Sequence, residues 1–318
     1  MNHRQFRIAS LFVRRLCGAA VLTATVLAAR GAESVAPPAS SPNAAAVPTI
    51  FVIGDSTANN NVNGQQGWGT PFANYFDPTK ARVANRGHAG TSSRSYFNGD
   101  WPRVLPDTRS GDYVLIAFGI NDGLGVLTGT GATRASLTGT GDETREVNGE
   151  TVHSYGWYMA KMAADAVGHG ARVYFLTVTA RNIWNNPHAK FNDATITSKD
   201  ESYHVAEDRI ERGTANGRYT QWTLETAQRL HLPALDLTNL QADKYEKLGR
   251  ETVMVNYADH NHTYPAGADM VAATIVSGLK AFQNSPFNAM LSDLGRAVPT
   301  ADAKYVRENL TEANPLGK

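Results

Sequence analysis

The sequence predicts a three-layer α/β fold built on a central parallel sheet of five strands. Three observations carry this. Residues 49–53, 112–118 and 171–178 are short, continuous apolar runs rich in β-branched and aromatic side chains, the pattern of strands covered on both faces. Helical periodicity separates them, with Tyr155, Tyr158, Met159, Met162 and Ala166 on one face of 154–167, and Val271, Ile275, Leu279 and Phe282 on one stripe of 265–282. Alternating strands and helices wind doubly, with right-handed crossovers.

The elements follow in order. Residues 1–31 carry five arginines and no acid, and an Ala-rich apolar run at 16–29 follows Arg14-Arg15, which reads as an export signal cut near Gly31 or Ala32. Fourteen apolar residues are short against the roughly 20 of a spanning helix, so an uncleaved anchor is the weaker reading. The protein is therefore expected to be secreted or periplasmic, without stable membrane association after cleavage. Phe-Leu does not follow the paired arginines, so a twin-arginine signal has little support. Removing the signal takes the formal charge from +1 to −4, which argues against nucleic acid as a partner. It also removes Cys17, the one cysteine, excluding disulfides, a Cys nucleophile and thiolate metal sites.

Residues 32–48 are Ala, Ser and Pro with little to bury, a flexible linker. The folded domain is expected over 49–285, as a monomer. Weaker strands are read at 81–85 and 234–237. Residues 123–149 interrupt the rhythm with a Gly/Thr-rich stretch in which Leu-Thr-Gly-Thr-Gly occurs twice, read as a surface excursion. Residues 286–318 form a polar C-terminal extension with apolar anchors at Phe287, Met290, Leu291 and Leu294.

Four short segments offer chemistry. Gly54-Asp55-Ser56-Thr57 leaves the first strand, with a small residue for a tight exit and a serine at the sheet edge. It also reads as an ordinary turn. Asp259-His260-Asn261-His262 places a carboxylate three residues before an imidazole, close enough to bond Nδ1 and leave Nε2 as a base. The same cluster reads equally as a metal site made of Asp259, His260 and His262, or as helix capping. Asn121 follows the 112–118 strand and can donate toward the mouth of the sheet, and Gly90 lies in a loop after 81–85 where backbone N–H groups can approach a ligand. With the strand order 2-1-3-4-5, Ser56, Gly90 and Asn121 fall on one rim where the order reverses. A serine flanked by an N–H and an amide is an oxyanion hole in outline.

The blocks Gly54-Asp55-Ser56, Gly90, Gly119-x-Asn121-Asp122 and Asp259-x-x-His262 resemble, in order and spacing, the four blocks of the SGNH (GDSL-type) hydrolases. Gly67-Trp68-Gly69, Ala89-Gly90-Thr91-Ser92-Ser93-Arg94-Ser95, Asp142-Glu143-Thr144-Arg145 and the 259–267 segment are similar to the rhamnogalacturonan acetylesterases of carbohydrate esterase family twelve. Ile120 departs from the narrower pattern, which often has His there. The resemblance implies a flavodoxin-like fold, Ser56 as nucleophile, His262 as base, Asp259 as its orienting acid, and an oxyanion hole of Ser56, Gly90 and Asn121. It implies no metal or organic cofactor and, as partner, an acetylated polysaccharide or oligosaccharide from pectin, with acetylated xylan or small esters as the alternative. Trp68, Arg94 and Trp184 are expected to touch substrate, Arg181 being a second partner for galacturonate carboxylates. A non-catalytic sugar-binding module and a metal-dependent hydrolase are the readings from other classes. Sequons at Asn261 and Asn309 are noted, the first read as coincidental.

Overall fold

The computed structural model describes residues 47–123, 125, 129–184 and 218–309. The export signal, most of the linker, part of the first Leu-Thr-Gly-Thr-Gly copy and the end of the Asn309 sequon lie outside the described residues. Strands run as β1 (Thr49–Gly54), β2 (Arg82–Asn85), β3 (Tyr113–Ala117), β4 (Thr144–Val147), β5 (Glu150–His153), β6 (Arg172–Leu176), β7 (Ala234–Leu235) and β8 (Val306–Arg307). Among the described residues the main sheet has the order β2-β1-β3-β6-β7-β8. Its first five strands are mutually parallel, in the expected order. The sixth is a correction to the five-stranded expectation: β8 adds antiparallel to β7, pairing Leu235 with Val306.

Alternation along each strand builds the three layers. Ile50, Val52, Leu115, Tyr174 and Leu176 pack on one side with Leu237, Leu240, Val271, Ile275 and Leu279. Phe51, Ile53, Val114, Ile116, Val173 and Phe175 pack on the other with Tyr155, Met159, Met162, Tyr219 and Ala227. The helices Leu237–Leu248 and Pro265–Leu279 thus cover one face, and Tyr155–Gly168 and Arg218–Arg229 the other. Each fully buried aliphatic side chain contributes roughly 1.5–3 kcal/mol, so a sheet covered on both faces holds the unit without cross-links.

Local signals set the helix ends. The Ser154 hydroxyl accepts the Trp157 N–H at 3.1 Å to start Tyr155–Gly168, and Pro265 occupies the first turn of Pro265–Leu279, where its missing N–H costs nothing.

The 123–149 excursion is not irregular throughout. β4 and β5 form a hairpin in which Val147 faces Glu150 across Asn148-Gly149, both at positive φ (52° and 81°). Those two dihedrals suit the tight turn that matches strand twist. Residues 286–309 pack into the same unit as the sheet: Phe287, Met290 and Leu291 are buried beside Phe72, Phe76 and Tyr113.

Candidate active site

The site is assembled at the carboxyl ends of β1 and β3. Gly54 closes β1 against β3 so tightly that a Cβ there would lie 2.7 Å from the Ala117 carbonyl oxygen. The chain then turns around Asp55, whose Oδ1 accepts the Thr57 N–H and the Thr57 hydroxyl, both at 2.8 Å. Asp55 is thereby a turn-forming residue. Its carboxyl is fully enclosed, and burial raises its pKa against the opposing pull of Thr57 and the nearby His262. The turn presents Ser56 at the sheet edge.

The histidine arrives from 206 residues away. Residues 256–264 fold back on themselves, with Tyr257 bridging Thr263 and Ala258 N–H donating to the His262 carbonyl at 2.8 Å. Two ties fix this loop. Gln66 N–H donates to the Thr263 carbonyl at 2.8 Å while the Thr263 hydroxyl donates to the Gln66 carbonyl at 2.7 Å, joining the loop to chain that follows Ser56. Arg181 Nε donates to Asn261 Oδ1 at 2.8 Å on the other side.

The Ser56 Oγ then lies 2.9 Å from His262 Nε2, and His262 Nδ1 lies 2.7 Å from Asp259 Oδ2. The second oxygen, Asp259 Oδ1, accepts the backbone N–H groups of Asn261 and His262, each at 2.7 Å. Burial alone would raise the Asp259 carboxyl, but the His262 hydrogen bond and charge and these two N–H donors hold it well below the usual carboxylate range. For His262 burial pulls downward, and the Asp259 hydrogen bond and charge, with the Asp55 charge, outweigh it and raise the imidazole above its ordinary 6.5. An anionic Asp259 therefore directs the Nδ1 proton toward itself and leaves the Nε2 lone pair on the Ser56 hydroxyl. Both His262 nitrogens are engaged, so the metal alternative would have to break this relay. Among the described residues no group of three or more His, Cys, Asp or Glu is arranged to hold a metal ion.

The other two blocks meet the same rim. His88 N–H donates to the Gly54 carbonyl at 2.9 Å, and Asn121 Nδ2 donates to the Thr91 carbonyl at 2.8 Å, so the loop after β2 is held between β1 and β3. Thr91 N–H closes on the His88 carbonyl at 3.3 Å with Gly90 at φ +82°, a turn that needs glycine in its third position. The turn type sets the direction of the Gly90 N–H. Neither that N–H nor the one of Ser56 has an acceptor among the described residues. Behind them Asp122 accepts the Ser93 hydroxyl at 2.5 Å and anchors the start of Ser93–Gly99; burial, opposed by Ser93 and Ser136, raises its carboxyl to about 6.

The three expected substrate contacts are corrected here. Trp68 is 1% exposed and packs edge-on to Phe72 at 5.6 Å. Trp184 is fully buried with its Nε1 donating to Asn182 Oδ1 at 2.8 Å. Arg94 is 1% exposed: Nε and Nη2 bond Glu150 at 2.9 and 2.5 Å, and Nη1 bonds the Ala135 carbonyl at 2.9 Å. A guanidinium taken out of water must be satisfied by such partners, and one so satisfied has no edge left for a ligand. Arg181 is buried in the same sense, holding the histidine loop through Asn261. Two residues were missed by the sequence reading, one near His262 in sequence and one on the rim. Tyr264, two positions past His262, is 39% exposed, and Arg134 on the excursion donates from Nη1 to the Gly90 carbonyl at 2.8 Å. Tyr264 lies inside the 259–267 segment that carries the family resemblance; Arg134 carried no signal.

Comparison with known proteins places the chain in a family. A family model described as the GDSL-like Lipase/Acylhydrolase family matches residues 52–269. The rhamnogalacturonan acetylesterase of Emericella nidulans is 31% identical over 242 residues, 73% of this chain and 86% of that protein. The uncharacterized esterase YxiM of Bacillus subtilis is 26% identical over 73% of this chain, which spans only 52% of that protein. The crystal structure of the Bacillus subtilis YxiM protein superposes with a TM-score of 0.53 at 23% identity, covering 74% of this chain and 56% of that one, a likeness of fold. By the family match and the coverage of the Emericella relative, the chain belongs to the GDSL-like lipase/acylhydrolase (SGNH) family and is an ester hydrolase.

Proposed function

We propose that this esterase removes acetyl groups from pectic rhamnogalacturonan through an acyl-enzyme on Ser56. The observation that carries the mechanism is the relay from Ser56 through His262 to Asp259, at 2.9 and 2.7 Å. Ser56 Oγ attacks the acetyl carbonyl carbon while its proton passes to His262 Nε2. The oxyanion that forms is met by the N–H groups of Ser56 and Gly90 and the Asn121 amide. Collapse expels the sugar oxygen, which takes the proton from His262. Water, deprotonated by His262, then attacks the acetyl-serine, acetate leaves and Ser56 recovers its proton. Asn121→Ala is expected to lower kcat by about 10² to 10³ with little change in KM, measured on a small acetyl ester.

The pectic substrate is supported by the 31% identical relative named a rhamnogalacturonan acetylesterase. Tyr264, exposed beside His262, offers an aromatic face on which a sugar ring can stack. Residues 1–31 are taken as the export signal that brings the enzyme to such a polymer, a reading checked by the mass of the mature protein. The substrate reading is tested by acetate release from acetylated rhamnogalacturonan and from acetylated xylan at matched acetyl content. Faster release from the pectic polymer is expected, and preference for xylan would transfer the assignment to the neutral polysaccharide.

A further inference from the structure

Arg134 stands next to the proposed oxyanion loop with no ion pair among the described residues. Its Nη1 donates to the Gly90 carbonyl at 2.8 Å, and its own carbonyl accepts the Ser92 hydroxyl, so the excursion grips the loop from both ends. Its Nε is buried and has no acceptor among the described residues. No carboxylate among the described residues pairs with it, whereas nearby Arg94 is fully engaged by Glu150. A guanidinium has five N–H donors and binds a carboxylate through two of them at once.

Placement gives this cation a use. Gly90 spans, within one residue, the N–H aimed at the oxyanion and the carbonyl held by Arg134. The guanidinium is therefore one residue and two hydrogen bonds removed from the oxyanion that the Gly90 N–H would meet. On the same excursion a cavity of about 500 Å³ opens between Gly125, residues 136–138 and residues 143–145, a volume ordinary for a small-ligand site. Arg145 lines it, as does Glu143.

We propose that Arg134 is the specificity-determining residue that pairs with the carboxylate of the uronate bearing or adjoining the acetylated position, selecting acidic over neutral polysaccharides. This rests on the pectic reading above. Electrostatics favour it: the chain without its signal carries a formal −4, so recognition of a polyanion requires local cations free of internal acids. The guanidinium meets that requirement at the reacting end of the site.

The test compares acetylated rhamnogalacturonan oligosaccharides with free carboxylates against the same oligosaccharides methyl-esterified at the carboxylate, in wild type, Arg134→Gln and Arg134→Lys. A general loss from disturbing the Gly90 loop affects both substrates alike and cancels in their ratio. In wild type the free acid is expected to exceed the methyl ester about 10- to 100-fold in kcat/KM, the reach of a charge-assisted pair. Arg134→Gln is expected to bring that ratio to about 1, with Arg134→Lys between. A ratio unchanged in Arg134→Gln, or near 1 in wild type that still deacetylates both oligosaccharides, overturns the role of Arg134 and leaves the pectic reading standing. No release from either oligosaccharide by an enzyme that hydrolyses small acetyl esters overturns both.

Discussion

Ser56→Ala is expected to lower kcat by about 10³ to 10⁶ on any acetyl ester while leaving the fold intact. Among the described residues, the hydroxyl at the relay's reacting end is that of Ser56, whose Oγ lies 2.9 Å from His262 Nε2. Without it the imidazole can only activate water, and the covalent intermediate that divides the reaction into two easier steps is lost. Removing the oxygen deletes one hydrogen bond, worth about 0.5–1.5 kcal/mol, so the midpoint of thermal unfolding should move little. The Asp55 turn and its bonds to Thr57 do not involve the serine side chain. Rates measured on a chromogenic acetate, beside a thermal melt of the same preparations, check both halves. Wild-type turnover in the variant would exclude Ser56 as the nucleophile.

Asp259→Asn separates orientation from charge. In the native loop one carboxylate oxygen is committed to two backbone N–H donors, which fixes the other oxygen on His262 Nδ1. An asparagine satisfying the same two N–H groups with its carbonyl would turn its NH₂ toward Nδ1. The ring would then accept there and carry its proton on Nε2, the wrong tautomer for a base. A fall in kcat/KM of about 10² to 10⁴ is expected.

The pH profile moves in a defined direction. His262 must be neutral to act, and in wild type its pKa lies above the ordinary 6.5, because the Asp259 hydrogen bond and charge outweigh burial. Activity therefore declines as pH falls through that raised value. Taking away the carboxylate removes the largest upward influences and leaves burial pulling downward, so the acid limb of kcat/KM shifts to lower pH in the variant. A limb that stays in place while the rate falls would assign the titration to another group. Asp122, at about 6, would be the first candidate to examine.

The sheet was legible because its strands are buried on both faces and read as unbroken apolar runs. β8 was not, since two residues, Val306 and Arg307, carry no periodicity and become a strand only by meeting β7. The excursion held a readable signal that went unused: Asn148-Gly149 between Thr144–Val147 and Glu150–His153 is a two-residue hairpin turn. Asp259 and His262 could be nominated from local spacing, since a carboxylate three residues before a histidine carries its own geometry, whereas Ser56 stood out by its place after the first strand and by the family resemblance. What sequence could not supply was which large side chains end up enclosed. Trp68, Trp184 and Arg94 have the chemistry of sugar contacts, yet Arg94 is claimed by Glu150 from 56 residues away and the two tryptophans by the core. Pairing at that separation leaves no trace in local composition. Arg134 escaped notice for the converse reason, its place being set by contacts to Ser92 and Gly90 more than 40 residues distant.

The central claim, a serine hydroxyl made nucleophilic by the His262–Asp259 pair, is tested most directly by covalent capture. The protein is treated with a fluorophosphonate, which releases fluoride as the serine oxygen bonds phosphorus, and the adduct is located by peptide mass mapping. A single adduct on Ser56 is expected, formed in step with loss of esterase activity and strongly slowed in Asp259→Asn. Modification of a different serine, or full inactivation with Ser56 unmodified, would contradict the account.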